Sequence, residues 1–180
     1  MKLMFISDIH GSFFYTNKAF KIFEEEKFDY LILLGDILYH GPRNPLPKEY
    51  EPKKVAEILN KFKDKIIAIR GNCDSEVDQM ILDFPILSEN SNILINNRRI
   101  FLNHGHSFDR ENINFLNKGD IFAFGHIHLP VIEEKDGIIF FNPGSISLPK
   151  ENNPNSYGII NENEIIIKTF DGEILKSRKI

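Results

Sequence analysis

Five short segments of this sequence place metal-ligating side chains beside glycine: Asp8-Ile9-His10-Gly11, Gly35-Asp36, Gly71-Asn72-Cys73-Asp74, His104-Gly105-His106 and Gly125-His126-Ile127-His128. Together they offer two carboxylates (Asp8, Asp36), one amide oxygen (Asn72) and four imidazoles (His10, His104, His126, His128), with no set of thiolates. Oxygen and imidazole donors suit Mn, Fe, Co, Ni or Zn better than Ca or Mg. Seven donors exceed what one ion with an open position takes. They suit two ions about 3.5–4 Å apart that share a carboxylate, with water in the remaining positions. Asp36, alone at its strand end and central in chain order, is the candidate shared ligand.

Each segment also has an ordinary reading by itself. An Asp-x-His pair after a strand is more often a capping carboxylate and a surface ring. A Gly-Asp pair is more often a turn, and Gly71-Asn72-Cys73-Asp74 also fits a turn into a helix capped by Asp74 or Ser75. His104 and His106 fit satisfied core histidines, and His126 and His128 fit exposed rings. The ordinary readings fail jointly: the chain has six histidines, and four of them supply the imidazoles of this set.

Hydrophobic periodicity shows what must position these groups. Apolar runs Leu3 to Ile6, Tyr30 to Leu34, Ile66 to Ile69, Arg99 to Leu102 and Ile121 to Phe124 read as strands, and each ends at one of the five segments. The carboxyl ends of strands in open α/β sheets are where ligand crevices form. Helical spacing covers Tyr15 to Lys27, with Ala19, Phe20, Ile22 and Phe23 inward, and Val55, Ile58, Leu59 and Phe62 behind Pro52. A further helix is expected around Val77, Met80, Ile81 and Leu82. The last third changes to hairpins: Val131 to Glu134 and Ile138 to Phe141 flank Asp136-Gly137, Tyr157 to Ile160 pairs with Ile165 to Thr169, and the tail after Asp171-Gly172 adds a strand. Alternation followed by hairpins implies an α/β sandwich with mixed sheets in one domain over residues 1–180. Gly41 to Pro52 is a long proline-rich loop of the kind that often serves function.

Composition sets the outer limits. At 180 residues, 42% hydrophobic and 27% charged, the chain has the make-up of a globular protein with a sizeable core. A net charge of −4 provides no broad basic field, so no stable nucleic-acid complex is expected. The single cysteine, Cys73, has no partner for an intramolecular disulfide, which fits a reducing compartment. The first apolar run ends at Ser7-Asp8, too short for a signal peptide, and no run is long enough to span a bilayer. These readings place the protein in the cytoplasm, without membrane attachment.

The ordered set Asp-x-His, Gly-Asp, Gly-Asn-x-Asp, His-Gly-His and Gly-His-x-His resembles the calcineurin-like metallophosphoesterase superfamily, from Asp8 to Ser145. The short length, Tyr39-His40-Gly41-Pro42-Arg43-Asn44-Pro45 and Asn142-Pro143-Gly144-Ser145 are most similar to its small bacterial phosphodiesterases. The resemblance implies a four-layer α/β/β/α sandwich of two packed mixed sheets. It implies Asp8, His10, Asp36 and His128 as ligands of one divalent ion and Asp36, Asn72, His104 and His126 as ligands of a second. Manganese is the first expectation, with iron, zinc, cobalt or nickel as alternatives.

The implied activity is hydrolysis of a small phosphodiester by in-line attack of a metal-bridging hydroxide, with Asp36, Asn72 and His104 in the catalytic centre. Asp74 is expected to orient a neighbouring ligand or the site water. Arg43 is expected either to clamp a phosphate oxygen or to be a surface arginine. His106 is not a ligand in the family pattern, and a substrate-facing role and a structural role are both open to it. Many relatives carry histidine where Cys73 stands, and that histidine can protonate the leaving oxygen. A thiol is a poorer acid for that task, which makes simple alkyl phosphomonoesters doubtful substrates. Three other readings remain: a non-catalytic protein-binding scaffold of the same fold, a nuclease, and a phosphomonoesterase. The oligomeric state stays open, although small members of the group often associate as homo-oligomers, either dimers or tetramers.

Overall fold

The structure is a computed structural model that describes residues 1–107 and 113–180. It contains two mixed β-sheets packed face to face. The first holds β1 (Leu3–Ile6), β2 (Tyr30–Leu33), β3 (Ile66–Ala68), β9 (Ser156–Ile160), β10 (Glu164–Thr169) and β11 (Ile174–Lys179), in the order β11-β10-β9-β1-β2-β3. The second holds β4 (Asn90–Ile95), β5 (Arg98–Asn103), β6 (Ile121–Ala123), β7 (Pro130–Lys135) and β8 (Ile138–Pro143), in the order β4-β5-β6-β8-β7. Each sheet has a parallel set: β1, β2 and β3 on one side of the first, ending at its edge, and β5, β6 and β8 in the middle of the second. The added strands pair antiparallel. This is the α/β sandwich of mixed sheets that the strand and helix pattern implies.

Central parallel strands are buried on both faces, so they read as continuous apolar runs. In β1 all four residues are buried. Leu3 and Phe5 pack between the sheets with Ile32, Leu102 and Phe141, while Met4 and Ile6 face the helices. Phe5 meets Phe141 edge-on across the sandwich, with centroids 5.2 Å apart. Helices α1 (Phe13–Glu25) and α2 (Pro52–Asn60) cover the outer face of the first sheet through Ala19, Phe20, Phe23, Val55 and Leu59. Pro52 stands in the first turn of α2, where its missing N–H leaves no bond unmade. The outer face of the second sheet buries Phe101, Phe122, Phe124, Ile138 and Phe140 together with Leu116. Among the described residues, the cover on that side is irregular chain rather than helix.

Two elements depart from the periodicity. The expected helix around Val77 to Leu82 is only one turn, α3 (Glu76–Gln79), and Val77 and Met80 are 70% and 82% exposed. Ser75 and Asp78 form a capping box that starts it. The Gln79 side chain then donates to the carbonyls of Leu82 and Phe84 and accepts from the amide of Ile86, which holds the following chain in a non-helical course. Strand β4 is announced only by a short apolar end, Ile93-Leu94-Ile95. It pairs with β5 through Asn96 and Asn97, both at positive φ (46° and 63°), as a tight hairpin of two primed-turn residues requires.

Candidate metal centre

Because β1, β2 and β3 run parallel in one sheet and β5 and β6 in the other, their carboxyl ends lie at one edge of the sandwich, and the five segments follow those ends. The chain makes sharp turns there. Asp8, His10, Asp36, His126 and His128 all have positive φ, between 49° and 67°. Left-handed backbone at a non-glycine residue costs about 1 kcal/mol or more, and such strain clusters at functional sites. The neighbouring glycines let these turns nest. A Cβ on Gly71 would lie 2.2 Å from Asp36 Oδ1, and one on Gly125 would lie 2.1 Å from Ser7 Oγ.

One cluster joins Asp8, His10 and His128, all buried. His10 Nδ1–H donates to the carbonyl of Tyr39 at 2.8 Å, and His128 Nδ1–H donates to that of Leu148 at 2.5 Å. A carbonyl only accepts, so these bonds fix the tautomer and turn both Nε2 lone pairs inward. The two Nε2 atoms are 3.4 Å apart. Asp8 Oδ2 accepts the amide of His126 at 3.2 Å, whereas Asp8 Oδ1 is buried with no hydrogen-bond partner and lies 3.3 Å from His128 Nε2. Three acceptors thus face one point, where an unpartnered buried carboxylate oxygen is expensive. A divalent cation fits this set.

The second cluster joins Asp36, Asn72 and His104. His104 Nδ1–H donates to the Leu34 carbonyl at 2.6 Å, and its Nε2 lies 3.1 Å from Asn72 Oδ1 and 3.5 Å from Asp36 Oδ1. Asp36 Oδ2 turns the other way, 3.7 Å from His10 Nε2. The two oxygens of one carboxylate therefore face the two clusters. The half-buried ring of His126 stands 5.2 Å, centroid to centroid, from that of His104. Burial raises the Asp36 carboxyl, but the hydrogen bond and charge of His104 outweigh it and hold the group well below the usual range. Burial lowers His104, but the Asp36 hydrogen bond and the charges of Asp8 and Asp36 push it up to about 9. The carboxylate of Asp36 thus favours positive charge at His104 Nε2.

The remaining candidates divide by what they touch. Asp74 is buried and spends both oxygens on backbone amides of Asp36, Ile37 and Gly71. Burial pushes its carboxyl up to about 6 against the pull of those amides. Cys73 donates its amide to Asp36 Oδ1 at 2.8 Å, and burial, with the charge of Asp36, pushes its thiol far up, so it stays protonated. Arg43 lines a cavity of about 520 Å³ with Asp36, Asn72, Cys73, His126 and His128. His106 is exposed and does not line this cavity; its ring is 5.4 Å from that of His104. Three supports lie in or just after Asn142-Pro143-Gly144-Ser145, which the sequence marked as a loop beside the pocket; of these, Ser147 was not anticipated. Ser145 and Ser147 both donate to the Asp8 carbonyl, at 2.9 and 2.8 Å, and Asn142 donates to the Gly125 carbonyl at 2.8 Å. Asn142-Pro143-Gly144-Ser145, at the end of β8, was the available signal. Lys150, on the cavity wall, gave none.

The family model for the calcineurin-like phosphoesterase superfamily domain matches residues 1–164, and the chain belongs to that superfamily. The fold and the donor-lined strand ends agree with it. Among curated relatives, the chain is 52% identical to phosphodiesterase YfcE of Escherichia coli strain K12 over 166 residues, which is 92% of this chain and 90% of the relative. The solved structure of E. coli Yfce, described as a phosphoesterase, superposes with a TM-score of 0.96 at 48% identity, covering 99% of this chain and 98% of that one. Vacuolar Protein Sorting 29 from Cryptosporidium parvum superposes with a TM-score of 0.68 at 18% identity, over 99% of this chain and 97% of that one. That likeness is one of fold alone.

Proposed function

We propose that this chain is a phosphodiesterase that works with two divalent ions, manganese first among the candidates. Asp8, His10, Asp36 and His128 would hold one ion, and Asp36, Asn72, His104 and His126 the other. The carrying observation is the pair of Asp36 oxygens, one 3.5 Å from His104 Nε2 and the other 3.7 Å from His10 Nε2. When bound, such ions supply the positive charge that acidifies water and draws phosphoryl oxygens, for attack on phosphorus in line with the departing ester oxygen.

The chain's own groups do the positioning. Tyr39, Leu34 and Leu148 carbonyls hold the rings of His10, His104 and His128 in one tautomer. Asp74 fixes the backbone of Asp36, and the hydroxyls of Ser145 and Ser147 fix that of Asp8. Arg43, an exposed side chain that lines the cavity, would clamp a non-bridging phosphate oxygen. Cys73 keeps its proton, but no imidazole stands in its place, so substrates with good leaving groups are favoured. A small diester entering this cavity in the cytoplasm needs neither a membrane nor a nucleic-acid surface. No helix of the described residues is long and apolar enough to cross a membrane.

The reading is tested by parallel hydrolysis of bis(p-nitrophenyl) phosphate, p-nitrophenyl phosphate and a single-stranded oligonucleotide, before and after chelation and manganese repletion. Diester turnover that chelation removes and manganese restores is the expected result. Preferred monoester cleavage, oligonucleotide degradation, or indifference to chelator would overturn it.

A further inference from the structure

The proposed reaction leaves one charged group at the cavity without a task. At about 520 Å³ the cavity is in the range of pockets that enclose whole small ligands, so it admits an ester arm as well as the reacting phosphate. Its lining holds one carboxylate, Asp36, and two permanent cations, Arg43 and Lys150. The cations come from different walls. Arg43 belongs to the segment in which Gly41 lies against Cys73 and Asn44 donates to the His40 carbonyl at 2.8 Å.

Lys150 belongs to the His128 side. The Leu148 carbonyl takes the His128 ring proton at 2.5 Å, and the Lys150 amide donates to the His128 carbonyl at 3.3 Å. These two bonds tie the Lys150 backbone to His128, and the lysine charge reaches the ring, where it opposes protonation. Its side chain is exposed and lines the cavity. Ile127 and Pro42 supply apolar surface between the polar groups.

We propose that Lys150 determines specificity by receiving a second anionic group, a phosphate carried on one ester arm of the diester. The preferred substrates are then phosphodiesters with a phosphorylated arm. The inference rests on the phosphodiesterase reading and names its substrate class. A chain of net charge −4 attracts no anion by its overall field, so a cation held at the cavity wall makes the selection. An ammonium, a compact point charge on a flexible stem, suits a terminal phosphate of variable orientation.

The test is calorimetric titration of the manganese-loaded full chain with thymidine 5′-monophosphate and thymidine 3′,5′-bisphosphate, for the native protein, Lys150→Ala and Lys150→Arg. The native protein prefers the bisphosphate by about fivefold, the scale of one partly exposed charge pair. Lys150→Ala brings the two ligands to about equal affinity, Lys150→Arg retains the preference, and added salt shrinks it. A preference that survives in Lys150→Ala, or equal weakening of both ligands, would overturn the assignment. Turnover of bis(p-nitrophenyl) phosphate is measured on the same preparations. Absent turnover beside an intact, lysine-dependent preference would sink the hydrolytic reading and leave Lys150 as the second-anion residue.

Discussion

One oxygen of Asp74 accepts the amide of Asp36 at 2.8 Å, while its other oxygen accepts the amide of Ile37 at the same distance. The first oxygen also accepts the amide of Gly71 at 2.7 Å. A single carboxylate after β3 thus holds the end of β2 in its left-handed turn (φ 55° at Asp36), while the Cys73 amide holds Asp36 Oδ1. Asp74→Asn places an NH₂ group where one of these oxygens accepts, so at least one amide meets a donor. Stability should fall by about 1–3 kcal/mol, the loss expected for an unsatisfied buried group, and metal affinity should fall with it. Chemical denaturation and metal titration check both. A variant with native stability and native affinity would show that Asp74 does not hold Asp36.

Asp36→Asn removes the charge that both donor clusters share while keeping the shape of the side chain. Turnover of an aryl phosphodiester should drop by about 100-fold or more, with the circular dichroism spectrum and melting profile of a folded protein. Near-native, metal-dependent turnover in this variant would overturn the proposal that Asp36 is shared between two ions.

Metal binding should depend on pH through His104. Its pKa is pushed up to about 9 from an ordinary 6.5, so in the metal-free protein its proton stabilises the fold fully below about 6.5. That contribution fades as the pH climbs through 9. An ion at Nε2 must displace the proton. Apparent affinity should therefore rise about tenfold per pH unit from this group alone up to about pH 9. Loading at pH 7 should acidify an unbuffered solution, and the gain in melting temperature on loading should widen between pH 6.5 and 9. Binding without proton release and without pH dependence would contradict the placement of His104 at an ion.

Gly71→Ala tests whether the close approach of two turns shapes the site. The new methyl would lie 2.2 Å from Asp36 Oδ1 and 2.3 Å from the Asp36 nitrogen, so one turn must move. A loss of about 1–3 kcal/mol with weakened metal binding is expected in equilibrium unfolding and titration. A variant that binds metal as tightly as the native protein would show that the β2 and β3 turns have slack.

Much of the positioning framework was legible because parallel strands bury both faces and so announce themselves as apolar runs. Leu3–Ile6 and Tyr30–Leu33 are examples. Strand β4 was not legible, because alternate residues such as Asn92 and Leu94 are exposed and its pairing depends on a turn conformation rather than on hydrophobicity. The helix expected near Val77 failed for the opposite reason: Val77, Met80 and Ile81 face solvent while only Leu82 is buried, and Gln79 supplies bonds that a longer helix would have made. His106 and His104 stand two residues apart with the same ring chemistry, yet one is exposed and the other buried.

The sequence by itself determined the donor types, their order along the chain and the strand ends that carry them, because ligand chemistry and burial periodicity are properties of residue identity. Only the tertiary structure decided which donors meet. His10 and His128 are separated by 118 positions, and their Nε2 atoms come within 3.4 Å because two sheets pack face to face with their parallel strands ending at one edge. It also decided which way each lone pair points, since the carbonyls of Tyr39, Leu34 and Leu148 that hold the rings lie far from them in the chain. A hydrogen bond across the fold leaves no periodic trace in the order of residues.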